Sequence, residues 1–394
     1  MNLGNELGKD ILGVGSLGIN VQILIGPGIP LPLSTELTKS IDYIEVTNTD
    51  SGRDVFRIKF KIGRSNLDMI DYPVFNTLHE LLYFKPFNRV IILVNIGLDK
   101  NILIDGVITN QNFVPSAEPG KSTLTITGED QGVLMDLHQI PFVYPNQTDN
   151  MIVTQIVAKY GLVPLIIPPI QIFTPSVVDN DPVQTVTDLQ YVLKLAESHN
   201  YIFYIEPTDK VGVNIAYWGP PHRGGMPQKS ITVNMGSYSN CESISFQNNS
   251  LKPEIVIGVV QDRRAQNILI PVIVPTPLPP FLSRKPAHIK NLPFVRTKLF
   301  NSKGKDSALE AYVSAVSQVD KSKDVINGNG ELNTLRYGRI LKARRTVAVR
   351  GVGETYDGLY YVNSVTHNIS NGSYTQQFAL SREGTGTIIP GVLE

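Results

Sequence analysis

The sequence predicts a mainly β protein, with two β-domains in one chain and α+β insertions between and within them. Three observations carry that expectation. Runs rich in Val, Ile, Tyr, Thr and Phe, each of ordinary strand length, recur from Asn20 to Arg382. Thirty-two Gly and 27 Pro demand many turns and long connections rather than a helical bundle. A chain of 394 residues is also too long for one ordinary domain.

The first 128 residues read as β throughout. Candidate strands are Asn20–Ile25, Asp42–Thr47, Asp54–Ile62, Val90–Ile96, Asn101–Ile108 and Ser122–Thr127. In the third, Phe56, Ile58, Phe60 and Ile62 alternate with Arg57, Lys59 and Lys61, so one face enters a core and the other is basic. A one-residue slip would bury three charges, which fixes the register.

Near residue 129 the period changes. Thr148 or Asp149 is placed to cap a helix carrying Ile152, Val153, Ile156, Val157 and Tyr160 at helical spacing, and Gly161 to end it. A second helix starts at Thr187 or Asp188, carries Leu189, Val192, Leu193 and Ala196 on one side, and stops near Asn200, before a strand at Tyr201–Glu206. Strand signals return at Val211–Tyr217, Ser230–Asn234, Ser243–Gln247 and Glu254–Val260. Residues 266–300 are Pro-rich and extended. With its prolines and apolar residues, Ile268–Leu282 is either a preformed arm that docks on a neighbour or a strap within the chain. Ser307–Val319 is a helix with Leu309, Tyr312, Val313 and Val316 on one face, and Asn327-Gly328-Asn329-Gly330 makes a turn before strands resume at Leu335. The closing residues read as a meander of Thr346–Val352, Leu359–Ile369 and Ser373–Arg382. Asp357-Gly358 and Asn371-Gly372 supply turns that favour φ > 0 at both central positions. The resulting layout is a β-domain at 1–128, an α+β module at 129–208, a second β-domain at 209–261 and 334–394, and an insertion at 262–333.

Lys+Arg and Asp+Glu both number 35, so the whole chain exerts no bulk attraction for nucleic acid or anionic membrane, and no specific nucleic-acid binding is expected. From Arg284 to Arg350, fifteen Lys/Arg stand against five Asp/Glu, which is either a solvated basic face or a surface for an acidic partner. A single cysteine, Cys241, excludes an internal disulfide and suits a reducing cytoplasm. The first twenty residues show no secretory signal, and prolines break the apolar stretches Gly161–Val178 and Ile268–Leu282 well short of the about 20 residues a membrane span needs.

Catalytic motifs are missing. Gly13-Val14-Gly15-Ser16-Leu17-Gly18 satisfies GxGxxG, but strand-like Ile19–Ile25 follows where a dinucleotide site needs a helix. The six histidines are scattered without ligand spacing, and His367 sits mid-strand as a surface or hydrogen-bonded structural residue. Glu129, Asp130 and Asp136 read either as paired carboxylates for acid–base work or, better, as acidic residues at a helix entrance. No nucleophile elbow or phosphate loop is present, so no catalytic, cofactor or metal residues are assigned and no enzyme is expected.

The segment from Arg344 to Gly386 resembles the closing strands of the central hub proteins of contractile tails: phage late control protein D, phage baseplate hubs and the hub part of type VI secretion spike proteins. Further segments match in the same order. Gly128-Glu129-Asp130 with a short apolar run and Asp136 resembles the family's Gly-x-Asp segment, and Lys159-Tyr160-Gly161-Leu162 is similar to its first helix end. Leu195-Ala196 with Tyr201 matches its second helix and strand, and Ser381-Arg382-Glu383-Gly384 its terminal strand.

The resemblance implies two tail-tube-like β-barrels in one chain and a homotrimer whose pseudo-sixfold ring adapts a hexameric tail tube to a trimeric spike, surrounded by baseplate wedge proteins. Because the chain ends at Glu394 directly after the meander, it implies a separate spike polypeptide. It also implies synthesis in a bacterial cytoplasm and then a place in a virion tail or injection particle. The candidate interface residues are Arg57, Lys59 and Lys61 on the basic strand face, Pro271, Pro275, Pro277, Pro279 and Pro280 in the arm, and Arg344 and Arg345. Two rival classes are a carbohydrate-binding or adhesive β-protein and a tail-associated cell-wall hydrolase. The first calls for clustered exposed aromatics, whereas the chain has one tryptophan, Trp218; the second calls for a lysozyme-like or amidase-like domain, which does not appear.

Overall fold

The computed structural model describes residues 18–62, 83–97, 99–118, 121–169, 182–262, 268–275, 277, 279–290, 294–300 and 308–388. With 50% strand and 17% helix the protein is mainly β, as the turn-rich composition demands. Residues 13–17 of the GxGxxG string lie outside the described residues.

Two barrel-like halves belong to one 13-stranded sheet. The first half runs through Ile19–Gly26, Ile41–Thr49, Val55–Ile62, Arg89–Ile96, Asp99–Val114 and Ser122–Asp130. The second runs through Gln228–Thr232, Cys241–Asn248, Ile326–Asn333, Thr346–Arg350, Gly358–Ser370 and Ser373–Arg382. The halves are joined by hydrogen bonding between Ile41–Thr49 and Gly358–Ser370, in a register from Ser364 opposite Thr49 to Ser370 opposite Tyr43. The alternation in Val55–Ile62 holds: Phe56, Ile58 and Phe60 are fully buried in the first core. Ile369 and Tyr374, from the end of the chain, are buried in that same core.

The helices Asp149–Lys159 and Asp188–Ser198 start where the capping residues predict, at Thr148 and Thr187. Gly161 terminates the first with φ +68°, a conformation open to glycine. These helices pack with Ile202–Pro207 and Asn214–Gly219 around Trp218, so their core extends past residue 208. The Asn214–Gly219 strand begins later than Val211 because Gly212, at φ +85°, lies in the preceding turn.

Several local readings change. The Asn327–Gly330 string is not a turn but the middle of the Ile326–Asn333 strand. Its glycines answer to crowding: a Cβ on Gly330 would lie 2.4 Å from the Ser243 carbonyl oxygen and 2.5 Å from the Phe378 ring. Gly330→Ala is therefore expected to pry Cys241–Asn248 off the sheet and cost about 1–3 kcal/mol, readable as a lower Tm; an unchanged Tm would refute the close approach. Leu335 lies in a short helix, Thr334–Tyr337, because the Asn333 side chain accepts from the Leu335 and Arg336 amides. Asp357-Gly358 is not a two-residue turn. Residues 351–357 form the loop, with Asp357 accepting from the Val352 amide. Asn371-Gly372 does close a two-residue hairpin, but only Gly372 has positive φ, at +76°.

The Pro-rich stretch enters a sheet. Ile268–Val274 pairs antiparallel with Glu254–Asp262 in a three-stranded sheet completed by Arg296–Leu299. Glu254–Asp262 thus leaves the second barrel's sheet for this one. Pro271 sits on an edge strand, where a missing N–H is tolerated. The helix Ala308–Lys321 covers one face with Ala311, Ala315 and Val319, and with Val316 packed partly against them, while Tyr312 stays exposed. Small side chains let its backbone approach the twisted strands. No helix among the described residues is long and apolar enough to cross a membrane.

Candidate assembly surfaces and the buried junction

Arg57, Lys59 and Lys61 line the outer face of Val55–Ile62, as their alternation requires, but the neighbouring strand answers them. The register sets Glu45 opposite Arg57 and Tyr43 opposite Lys59. Arg57 lies 3.8 Å from Glu45, while Lys59 and Lys61 lie 3.6 and 2.7 Å from Asp42. The face is therefore a ladder of exposed ion pairs, each worth at most about 1 kcal/mol, rather than a free cationic surface. Pro271, Pro275, Pro279 and Pro280 are exposed, and Pro277 is buried.

Arg344 stands in contrast to the surface placement expected for it. It is 3% exposed and turned inward. Its guanidinium donates to the Thr49 carbonyl at 2.9 and 2.7 Å, pairs with the Asp54 carboxylate and lies 4.2 Å over the Tyr204 ring. One side chain thus joins the second barrel half, the first half and the helix-containing module. The left-handed backbone at Arg344, φ +64°, aims it there. Arg345, half-exposed, points to the module instead and meets Glu206 at 3.0 Å.

The junction continues beneath Arg344. Asp54 also accepts from the Asn48 side chain and the Thr49 amide, and its own amide donates to Asp130 at 2.7 Å. The second Asp130 oxygen accepts from the Gly132 amide at 2.7 Å, which is why this acidic residue precedes the short helix Gly132–Met135. Burial, with the Asp54 carboxylate beside it, pushes Asp130 up to about 7. Next to it, Arg53 holds Glu129 at 2.5 Å and Asp136 at 3.3 Å, along the wall of a cavity of about 300 Å³. Asp136 further accepts from Thr187 at 2.6 Å. The carboxylates are thus tied into structural pairs.

A second buried network pins the insertion to the second half. Arg223 forks onto Asp324 and approaches Glu383 at 3.6 Å. Glu383, fully buried, accepts from the Leu282 and Ser283 amides at 2.6 Å each and from the Ser283 hydroxyl at 2.8 Å. Sequence reasoning passed over Asp54, Arg223, Asp324 and Glu383, because their partners stand about a hundred or more residues away and no local spacing marks them. His367 is buried, its Nδ1 3.0 Å from the Tyr374 hydroxyl, as a structural residue. Among the described residues no His/Cys/Asp/Glu group is arranged to hold a metal.

No protein-family model matches the chain, and no curated protein matches it in sequence. Solved structures do match in fold. A tail protein from Neisseria meningitidis superposes at TM-score 0.64 and 14% identity over 93% of this chain and 97% of that one. The 43 kDa tail protein of prophage MuSo2 from Shewanella oneidensis gives 0.62 and 12%, over 93% and 98%. An Escherichia coli component of the type VI secretion system, described as similar to two tail proteins of bacteriophage T4, gives 0.52 and 11%, over 90% and 77%. The chain has the fold of these tail and injection-system proteins.

Proposed function

We propose that the chain is the structural hub of a contractile phage tail or a phage-like injection particle. Three copies close a ring of six barrel halves, which adapts a hexameric tail tube above to a trimeric spike below, with baseplate wedge proteins around it. The carrying observation is the likeness along more than nine-tenths of the chain to tail proteins of nearly equal extent. The double-barrel sheet supports it. Among the described residues, Cys241–Asn248 pairs only with Ile326–Asn333, which leaves an open edge of the kind that assemblies cover with neighbouring subunits. The reading assigns the chain no catalysis; its work is positioning, performed in the assembled particle after synthesis in a bacterial cytoplasm.

Light scattering on the purified protein, alone and with tube and spike proteins encoded beside it, tests this. The expected mass is three times that of the 43.5 kDa chain. A strict monomer that binds neither protein would overturn it.

A further inference from the structure

The two barrel halves repeat one five-stranded unit. In the first, Ile41–Thr49, Val55–Ile62, Ser122–Asp130, Asp99–Val114 and Arg89–Ile96 lie side by side in that order, all antiparallel. In the second, Cys241–Asn248, Ile326–Asn333, Ser373–Arg382, Gly358–Ser370 and Thr346–Arg350 do the same, and the chain visits the five positions in the same sequence. Even the irregularities agree. The edge strand of each unit shifts register near its start, between Ile41 and Tyr43 and between Cys241 and Ser243. The long strand shifts between Ile108 and Asn110 and between Val362 and Ser364. These shifts put the halves in residue correspondence, Tyr43 with Ser243 and Asn110 with Ser364.

The seam between the halves uses two parts of this unit. Beyond its shift, Gly358–Ser370 has left Thr346–Arg350 and pairs with the edge strand Ile41–Thr49. The counterparts of those two parts remain open. Asn110, Gln111 and Asn112 pair on one side with Thr127, Ile126 and Thr125, and among the described residues no strand pairs with their other side. The edge strand Cys241–Asn248 is open in the same way. Both Asn110-Gln111-Asn112 and Gln247-Asn248-Asn249 are exposed, and neither run carries the lysine or proline that ordinarily blunts a sheet edge.

We propose that one copy joins the next by repeating its own internal seam. Gln247-Asn248-Asn249 of one copy pairs antiparallel with Asn110-Gln111-Asn112 of the next copy. Within the chain, Thr366 stands opposite Thr47, Val365 opposite Asn48 and Ser364 opposite Thr49. Carried across the correspondence, that register sets Asn112 opposite Gln247, Gln111 opposite Asn248 and Asn110 opposite Asn249. The seam's Thr47 and Thr366 share a hydroxyl hydrogen bond. Between copies, amide side chains that both donate and accept take that place. The two runs are different parts of one chain, so the contact is heterologous. It closes a ring of six halves when the rotation between copies matches the rotation between halves. The inference rests on the trimeric reading above and names the strands that build it.

A chain carrying Cys241→Ser, Asn112→Cys and Gln247→Cys tests it, oxidised with diamide under conditions in which the wild-type chain is trimeric. The expected products are covalent dimers and trimers on a denaturing gel, lost on reduction and absent when either new cysteine is present alone. Trimer mass without such products overturns the inference and leaves the hub reading standing, as does cross-linking through one new cysteine by itself. A wild-type chain that stays monomeric with tube and spike proteins present overturns the hub reading, and this contact with it. Charge reads the register without a cross-link. Asn112→Lys with Gln247→Lys sets like charges directly opposite and is expected to weaken each contact about fivefold. Asn112→Lys with Gln247→Glu is expected to restore it, and equal assembly of these two variants overturns the pairing.

Discussion

Replacing Arg344 by methionine is expected to cost about 3–5 kcal/mol of folding stability, the usual effect of removing one partner from a buried ion pair. The side chain satisfies the Thr49 carbonyl, pairs with Asp54 and covers the Tyr204 ring, so its loss strands a carboxylate beside a second one, Asp130. Whole domains are stable by only about 5–15 kcal/mol, so the variant sits near its limit. Lysine is not a substitute, since it lacks the planar fork that serves a carbonyl and a carboxylate together. Two further results identify the cause. The cost should shrink as the pH falls below about 7, where Asp130 takes up a proton and burial favours the protonated form of Asp54 as well. Adding Asp54→Asn to the methionine variant should restore part of the loss. Urea unfolding reads all three, and an Arg344→Met protein within about 1 kcal/mol of wild type would sink the account.

The second large effect is pH-dependent. Burial lowers the His367 imidazole from its ordinary 6.5 to about 3. The folded protein therefore binds fewer protons than the unfolded chain between those values. Its neutral-imidazole stability is fully present above pH 6.5 and drains away as pH falls toward 3. A shift of this size corresponds to about 5 kcal/mol across the window. The Tyr374 hydroxyl, 3.0 Å from Nδ1, shares the burial and keeps the neutral ring in place. His367→Gln retains an acceptor but no titration, so its Tm should fall less steeply than wild type between pH 6.5 and 4. Equal slopes would show that other groups govern acid unfolding.

Much of the fold was legible because local physics decided it. Phe56, Ile58 and Phe60 alternate with cations, and no other register keeps the charges in water. Thr187 bonds the Gln190 amide as an N-cap, and Gly161 takes the left-handed C-terminal position. Where glycine played a packing role, the reading failed. Gly328 and Gly330 look like turn residues but make room for Phe246 and Phe378 in mid-strand. The candidate surfaces were legible only in part. The lysines of the basic strand face are outside, yet already answered by Asp42. Arg344 is inside because its partner, Asp54, stands 290 residues earlier, a relation no spacing rule reveals.

The seam between Ile41–Thr49 and Gly358–Ser370 also has a meaning in time. Thr47 and Thr366 share a hydroxyl hydrogen bond of 3.0 Å across 319 residues of chain. At about 5–20 residues per second, a ribosome leaves the first barrel half waiting on the order of 15–60 s for the strand that completes it. The helix-containing module gathers its core from Met135 to Trp218 and has no such wait. Such non-local pairing slows folding. It also makes the first half depend on the length of the chain: a chain released before Gly358–Ser370 is made leaves Ile41–Thr49 without its partner on that side.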